Sequence, residues 1–309
     1  MPARTVLITG TSTGIGAACV ARLAKDGWKV YAGVRNDDDG KRVVAATTGD
    51  ITPVILDVTN REHIDRVLAQ IDTEVGSLNG LVNNAGIAVV GPVEVLTDEE
   101  WRWQMDVNFF SLVTLTREAM PLVDKADGRF VHIGSISGRV AGAGLGPYAA
   151  SKHAVSAFNW ALREELSRNT KMRSSVVEPG EIKTAIWDKA EDTLASSAAS
   201  LTGPQRDRYG FMLDAQRAFV EHGKTKGVDA DHVAKAVEHA LTSSRPKARY
   251  LVGSDAKVVG ILTKLPDRLR EKLIDVDGRM TEKKGRKLQQ IAMLSARHVP
   301  EIATELGDC

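Results

Sequence analysis

The 309-residue sequence predicts an α/β fold: a Rossmann-type, doubly wound parallel sheet of seven strands with helices on both faces. Three observations carry this reading. Short, wholly apolar runs alternate with stretches in which apolar residues recur at helical spacing, as strands buried on both faces and joined by crossover helices do. The first of these runs leads at once into a glycine cluster and then into a helix pattern. No repeat with a period of about 20–50 residues and no linker divides the chain, so one domain is expected over 1–275, with a helical C-terminal extension at 276–309.

Thr5-Val6-Leu7-Ile8 is the first strand, followed by Thr9-Gly10-Thr11-Ser12-Thr13-Gly14-Ile15-Gly16 and a helix over 17–26 closed by Gly27. Strand, glycine loop and helix make a phosphate cradle. Gly10 permits the tight turn, Gly14 lets the backbone approach a pyrophosphate, and Gly16 packs a helix whose first N–H groups face the anion. The spacing Gly-x-x-x-Gly-x-Gly differs from the commonest dinucleotide fingerprint, and a plain strand-to-helix turn is the alternative.

Residues 28–34 form the second strand, which ends at Val34-Arg35-Asn36, where a dinucleotide meets its adenosine ribose. An acid there suits two free hydroxyls, whereas Arg35 suits a 2′-phosphate, so NADP is favoured and NAD stays possible. Alternatively Arg35 is solvated in a loop with Asp37, Asp38 and Asp39. The third strand, 52–56, ends in Asp57-Val58, where a carboxylate could receive the adenine amino group or cap the helix that follows through His63 and Val67. A fourth strand runs into Leu81-Val82-Asn83-Asn84-Ala85-Gly86, whose amides could hold neighbouring backbone and floor a cofactor site or simply form a turn. In Tyr148-Ala149-Ala150-Ser151-Lys152 the first and last side chains stack on one helix face, so an ammonium could depress the phenol pKa and make it a base near neutrality.

Taken together, the glycine loop 9–16, Asn83-Asn84-Ala85-Gly86 and Tyr148-x-x-x-Lys152 resemble a classical short-chain dehydrogenase/reductase, in order and spacing, over residues 4–255. The resemblance implies Ser135, thirteen residues before Tyr148, as the serine that hydrogen-bonds the reacting oxygen, with Ser137 as competitor. It implies Asn108 in an interrupted helix, supporting a proton relay beside Lys152, with a merely structural buried asparagine as the alternative. It also places Ala85, Gly86, Pro179, Gly180 and Ile182 against the cofactor, and Thr184 on its carboxamide or a phosphate. Glu178-Pro179-Gly180 narrows the resemblance to the retinol and hydroxysteroid dehydrogenase branch.

The implied reaction is hydride transfer between NADP(H) and a lipophilic secondary alcohol or its ketone, steroid-like, retinoid-like or xenobiotic, with Tyr148 as general acid/base. A binding protein that senses nucleotide, and an epimerase or dehydratase with a recycled cofactor, are the rivals. Fifth and sixth strands are expected at 129–133 and 174–177, and the uncharged stretch after Arg139 as a loop beside Tyr148. Tyr148 opens a helix over 148–168, and family members pair such helices between subunits, so a homodimer or homotetramer is implied. Residues 185–227 read as helices over a cleft, either a substrate lid or a subunit contact. A helix over 229–242 capped by Asp229, a last strand at 249–253, a helix over 258–274 broken at Pro266 and a polar tail with a helix at 288–296 complete the chain.

Composition excludes several classes. With 43% hydrophobic, 26% charged and 5% aromatic residues, the chain suits a globular protein with a substantial core. A net charge of +1 gathers neither nucleic acid nor anionic membrane, and the basic run 283–287 is read as a solvated face rather than a lipid contact. Cys19 and Cys309 form no disulfide framework, the histidines 63, 132, 153, 222, 232, 239 and 298 show no metal spacing, and Met1 to Arg4 leave no room for a signal peptide. A reducing, cytoplasmic compartment and no transmembrane segment are expected.

Overall fold

The computed structural model describes residues 3–168, 170–266 and 268–269. Strand β1 (Thr5–Ile8) is buried at every position, and its period-2 alternation sends Val6 and Ile8 into one core and Leu7 into another. Around it lie β2 (Lys29–Val34), β3 (Ile51–Ile55), β4 (Gly80–Asn83), β5 (Arg129–Ile133), β6 (Arg173–Pro179) and β7 (Arg249–Val252). All pairings are parallel, in the order β3-β2-β1-β4-β5-β6-β7. The order reverses between β1 and β4, and ligands of such sheets bind at the carboxyl ends beside that switch point.

One core packs Cys19, Val20 and Leu23 of α1 (Gly14–Lys25) with Val233, Val237 and Leu241 of α9 (Ala230–Thr242) on the sheet. The other face packs α3 (Arg61–Glu74), α5 (Ser111–Asp124) and α6 (Gly146–Leu166) through Ile64, Ile71, Leu115, Leu122 and Leu162. A third cluster joins α7 (Ile186–Ser200) and α8 (Gly203–Lys226) through Leu194, Met212 and Val220, with Ala88 and Val90 from the loop after β4. Residues 185–227 are therefore a helical hairpin with its own small core.

Two local expectations are corrected. Asp37, Asp38 and Asp39 are not a loop but the first turn of α2 (Asp37–Ala45), whose N-terminus Asn36 caps by accepting from Asp39 N. Three carboxylates there complement the helix dipole. Asp57 does not cap α3; Asn60 does, accepting from Glu62 N and His63 N, while Asp57 Oδ1 accepts from Thr59 N and Oγ1. Asp229 caps α9 as expected.

After α4 (Asp98–Met105), opened by a Thr97–Glu100 capping box, the helix widens into a π turn at Asp106–Phe110 before continuing as α5. The extra residue of such a turn lets Asn108 face inward, and π turns of this kind cluster at functional sites. Residues Met1–Ala256 cluster as one unit and Lys257–Cys309 as a second; α10 (Ser254–Leu262) begins before the expected 258–274 helix and ends ahead of Pro266, and residues 267 and 270–274 lie outside the described residues. The extension 276–309, the helix at 288–296, the basic run 283–287, His298 and Cys309 lie outside the described residues.

Beneath the carboxyl end of β6, Glu178 is wholly buried. Arg139 Nε donates to its Oε2 at 2.6 Å, Ser156 Oγ to its Oε1 at 3.0 Å, and Arg249 Nε lies 3.0 Å from Oε1. One carboxylate thus joins β6, β7, α6 and the segment after β5. Removing a single partner from such a group strands buried charge, so Glu178→Ala is expected to lower unfolding free energy by about 3–5 kcal/mol in chemical denaturation. A loss under 1 kcal/mol would contradict this account of the network.

Candidate active site

The carboxyl ends of the strands open onto a cavity of about 320 Å³. The glycine loop forms one wall through Gly10, Ser12, Thr13, Gly14 and Ile15. Gly10 (φ 66°) and Gly14 (φ 59°) adopt left-handed backbone that only glycine takes without strain, and a side chain at Gly14 would press on Thr184. The bare backbone and the first turn of α1 thus fit a pyrophosphate. Arg35, Asp57 and Val58 line the cavity beyond β2 and β3, Asn84, Ala85 and Gly86 beyond β4, and Pro179, Gly180, Ile182 and Thr184 beyond β6.

Three expected site residues stand behind the wall rather than on it. Thr11 is fully buried, its hydroxyl donating to Gly33 O at 3.0 Å, so it fixes the loop to β2. Gly16 is a packing glycine, since a Cβ there would strike the Gly10 carbonyl and the Asn84 amide. Asn108 does not reach the cavity: its Oδ1 accepts from Ile87 N at 2.8 Å, and its Nδ2 donates to Ile87 O at 3.0 Å and Ser151 Oγ at 3.1 Å. These bonds hold the segment after Gly86 beside α6.

Of the other fixings, the Asn84 amide holding neighbouring backbone was readable from the sequence, and the rest give no obvious signal there. Thr9 Oγ1 accepts from Asn84 N and Ala85 N, both at 2.9 Å, while Asn84 Nδ2 donates to Thr9 O and Gly10 O. The fully buried Gln104 bonds Val89 N at 2.7 Å and Ile87 O at 3.0 Å. Asp255 accepts from Glu181 N at 2.7 Å and fills the space a Gly180 side chain would need. On the hairpin, Trp187 Nε1 donates to Ile182 O at 2.7 Å and His222 Nδ1 lies 2.5 Å from Glu181 Oε2, tying it to the segment after β6. Trp103, Val107, Leu145, Ile186, Ala190 and Phe219 give this end of the cavity an apolar lining.

Tyr148 and Lys152 emerge on one face of the first turns of α6, and both line the cavity with Ser135. Ser135 stands with Tyr148 at the cavity wall, and its Oγ accepts from Ser137 N at 3.1 Å. Ser137 lines the cavity too. Lys152 Nζ donates to Ile133 O at 2.8 Å and lies 5.8 Å from the centre of the Tyr148 ring.

Electrostatics here depart from the simple expectation that Lys152 depresses Tyr148. Burial raises the Tyr148 pKa, and the neighbouring Ser135 side chain only partly offsets it. Burial also lowers Lys152 from 10.5 to about 8. Desolvation penalises both charged forms, and at this separation it outweighs their attraction.

A sequence model of the short chain dehydrogenases matches residues 4–195. The chain belongs to the short-chain dehydrogenase/reductase family. Retinol dehydrogenase 7 of Rattus norvegicus is 34% identical over 259 residues, covering 82% of this chain and 81% of the relative. The NADPH-dependent 3-dehydrocapnine reductase of Ornithobacterium rhinotracheale is 32% identical over 283 residues, covering 89% and 97%. Among solved structures, a short-chain dehydrogenase from Streptomyces avermitilis superposes with a TM-score of 0.72 at 26% identity, covering 91% of this chain and 99% of that one. The protein is thus an oxidoreductase of alcohol and carbonyl groups that uses a nicotinamide cofactor, near the retinol and hydroxysteroid dehydrogenase branch. Among the described residues, no helix is long and apolar enough to cross a membrane, and no group of three or more His, Cys, Asp or Glu could hold a metal.

The buried ammonium makes a stability prediction. Lys152 titrates at about 8 when folded and about 10.5 when unfolded, so the unfolded chain binds more protons between these values and stability rises with pH there. Below pH 8 the full desolvation penalty is present. Lys152→Met is therefore expected to stabilise the fold by about 1–3 kcal/mol at pH 7, the gain fading as pH rises towards 10.5. Denaturation at several pH values checks this, and a pH-independent difference would contradict it.

Proposed function

We propose that the protein interconverts a lipophilic secondary alcohol and its ketone with NADP(H), using Tyr148 as general acid/base. The observation that carries this is that Ser135, Tyr148 and Lys152 line the same cavity as the glycine loop. Ser135 donates to the substrate oxygen and orients it towards the phenol. In reduction Tyr148 delivers its proton to that oxygen as the carbonyl carbon accepts hydride; in oxidation it removes the hydroxyl proton. Pro179, Gly180 and Ile182 would hold the nicotinamide of the cofactor, which when bound would supply or accept the hydride.

Lys152, kept close to neutral ionisation balance by burial, returns or accepts the proton at Tyr148 and holds the nicotinamide ribose. Asn108 acts on this relay through backbone, by holding Ile87, and through Ser151 on α6. Arg35 favours the 2′-phosphate form of the cofactor, in keeping with the NADPH in the name of the Ornithobacterium relative. The α7–α8 hairpin is the substrate lid, and its Trp187, Phe219 and Val220 face an apolar substrate. A cytoplasmic homodimer or homotetramer completes the proposal; Phe110 and Trp160, 54% and 48% exposed, are apolar surface that a partner subunit would cover.

The test follows absorbance at 340 nm with NADPH or NADH and a panel of hydrophobic ketones. Wild type is expected to prefer NADPH in kcat/KM, Tyr148→Phe to lose about 10²–10⁴-fold in kcat, and Arg35→Asp to shift preference towards NADH by about tenfold or more. Nucleotide binding without oxidation of NADPH across the panel would favour a sensor, and turnover without net NADP+ would favour a recycled cofactor.

A further inference from the structure

Three cations line the cavity: Lys152 at the Tyr148 end, and Arg35 and Lys189. Arg35 follows β2, beside Gly33, Val34 and Asp57. Lys189 comes from the first turn of α7, a distant part of the chain, and reaches the same wall. The route is short because Thr184, two residues before α7, packs against Gly14 of the glycine loop.

The acids around this pair are engaged elsewhere. Asp38 pairs with Lys41 at 3.3 Å, and Asp39 pairs with Arg42 and receives the Asn36 amide at 3.1 Å. The Asp57 carboxylate is taken by Thr59 N and Oγ1 at 2.9 and 2.7 Å. Asp37 belongs to the α2 N-terminus. Among the described residues neither Arg35 nor Lys189 has an acid within ion-pair distance, and each raises the potential at the other: Arg35 lowers the Lys189 pKa, though burial lowers it more. Asp39 offsets part of this at Lys189 and Asp57 attracts Arg35, but neither acid forms an ion pair with them, so two like charges from separate elements face one cavity where a ligand anion would complete their pairing.

We propose that Lys189 and Arg35 together bind the 2′-phosphate of NADP(H), so that the α7–α8 hairpin, and not only the end of β2, reads the phosphate. The inference rests on the NADP(H) reading above. Two cations are what this group calls for, since a phosphate monoester carries a charge near −1.5 to −2 at neutral pH. The arrangement also links cofactor choice to the hairpin: Lys189 can grip the phosphate only with α7 seated over the cavity, so NADP(H) holds closed the helices that carry Trp187 and Phe219 onto the substrate. With NAD(H), which has nothing for Lys189 to grip, that contribution to closure is lost.

Isothermal titration of the full chain with NADP+, NAD+ and adenosine 2′,5′-bisphosphate tests this without turnover, using wild type, Lys189→Met, Lys189→Arg and Arg35→Gln. Loss of one charge-assisted contact predicts that Lys189→Met weakens NADP+ and the bisphosphate about tenfold while NAD+ stays within about twofold. Lys189→Arg, which keeps the charge, restores most of the affinity, and the wild-type advantage of NADP+ shrinks as salt is raised. Unchanged NADP+ affinity in Lys189→Met, with a loss in Arg35→Gln, would overturn the role of Lys189 and leave the cofactor reading standing. Equal weakening of NADP+ and NAD+ would overturn it too, placing Lys189 on the pyrophosphate or in the fold. A wild-type preference for NAD+ would overturn both readings.

Discussion

Two ionisable side chains, the half-buried Tyr148 and the buried Lys152, lie one turn apart at the start of α6, and the structure around them is arranged to make that tolerable. Burial pushes the phenol towards its protonated form and lowers the ammonium to about 8, so each is held nearer to neutrality than it would be in water. A group biased towards holding its proton is suited to give it to a carbonyl oxygen. Lys152, near its midpoint at physiological pH, can pass protons either way. The chemistry proposed for the site follows from this desolvation more than from attraction between the two groups.

Holding such a pair requires stiff backbone on every side. Ile133 O receives the Lys152 ammonium, and Asn108 ties the loop after β4 to Ser151 on α6. Thr9 and Asn84 lock the ends of β1 and β4 at the point where the strand order reverses. Glu178, buried between two arginines and Ser156, joins the segment after Ser135 to α6 and to β6. These polar clusters carry their own desolvation penalties and are paired because unpaired they would be ruinous. The α7–α8 hairpin shares its apolar cluster with Ala88 and Val90 after β4 and with Tyr148 itself, and contacts such as Trp187 to Ile182 and His222 to Glu181 tie it to the segment after β6.

Much of this was legible in the sequence because its signals are local. Apolar runs marked all seven strands, and the glycine loop, Asn84, Ser135, Tyr148 and Lys152 lie at chain positions whose spacing survives folding. What was not legible depends on partners far away. Asp57 read equally as a cap, and only its bonds to Thr59 and the presence of Asn60 decide against that. Thr11 read as a cavity residue, but its bond to Gly33 O makes it a support, while Gly16 packs its helix as its place in the loop suggested and Asn108 meets Ile87 and Ser151. Three consecutive aspartates looked like a loop because their benefit to a helix N-terminus appears only once Asn36 caps it. Lys189 had no local pattern, and Glu178 was read only as part of Glu178-Pro179-Gly180: their roles arise from β7, α6 and Arg35, elements remote in sequence. The reversed electrostatics of Tyr148 also needed burial, which spacing does not report.

The central claim is that burial keeps Tyr148 protonated until a positively charged nicotinamide lies beside it. Ultraviolet difference titration near 295 nm, wild type minus Tyr148→Phe, reads that ionisation directly, with and without saturating NADP+. The account expects Tyr148 to ionise above the ordinary tyrosine value of about 10 in the protein alone and to fall below it, by about one unit or more, when NADP+ is bound. A phenol already ionised near neutral pH without cofactor, or one indifferent to NADP+, would contradict it.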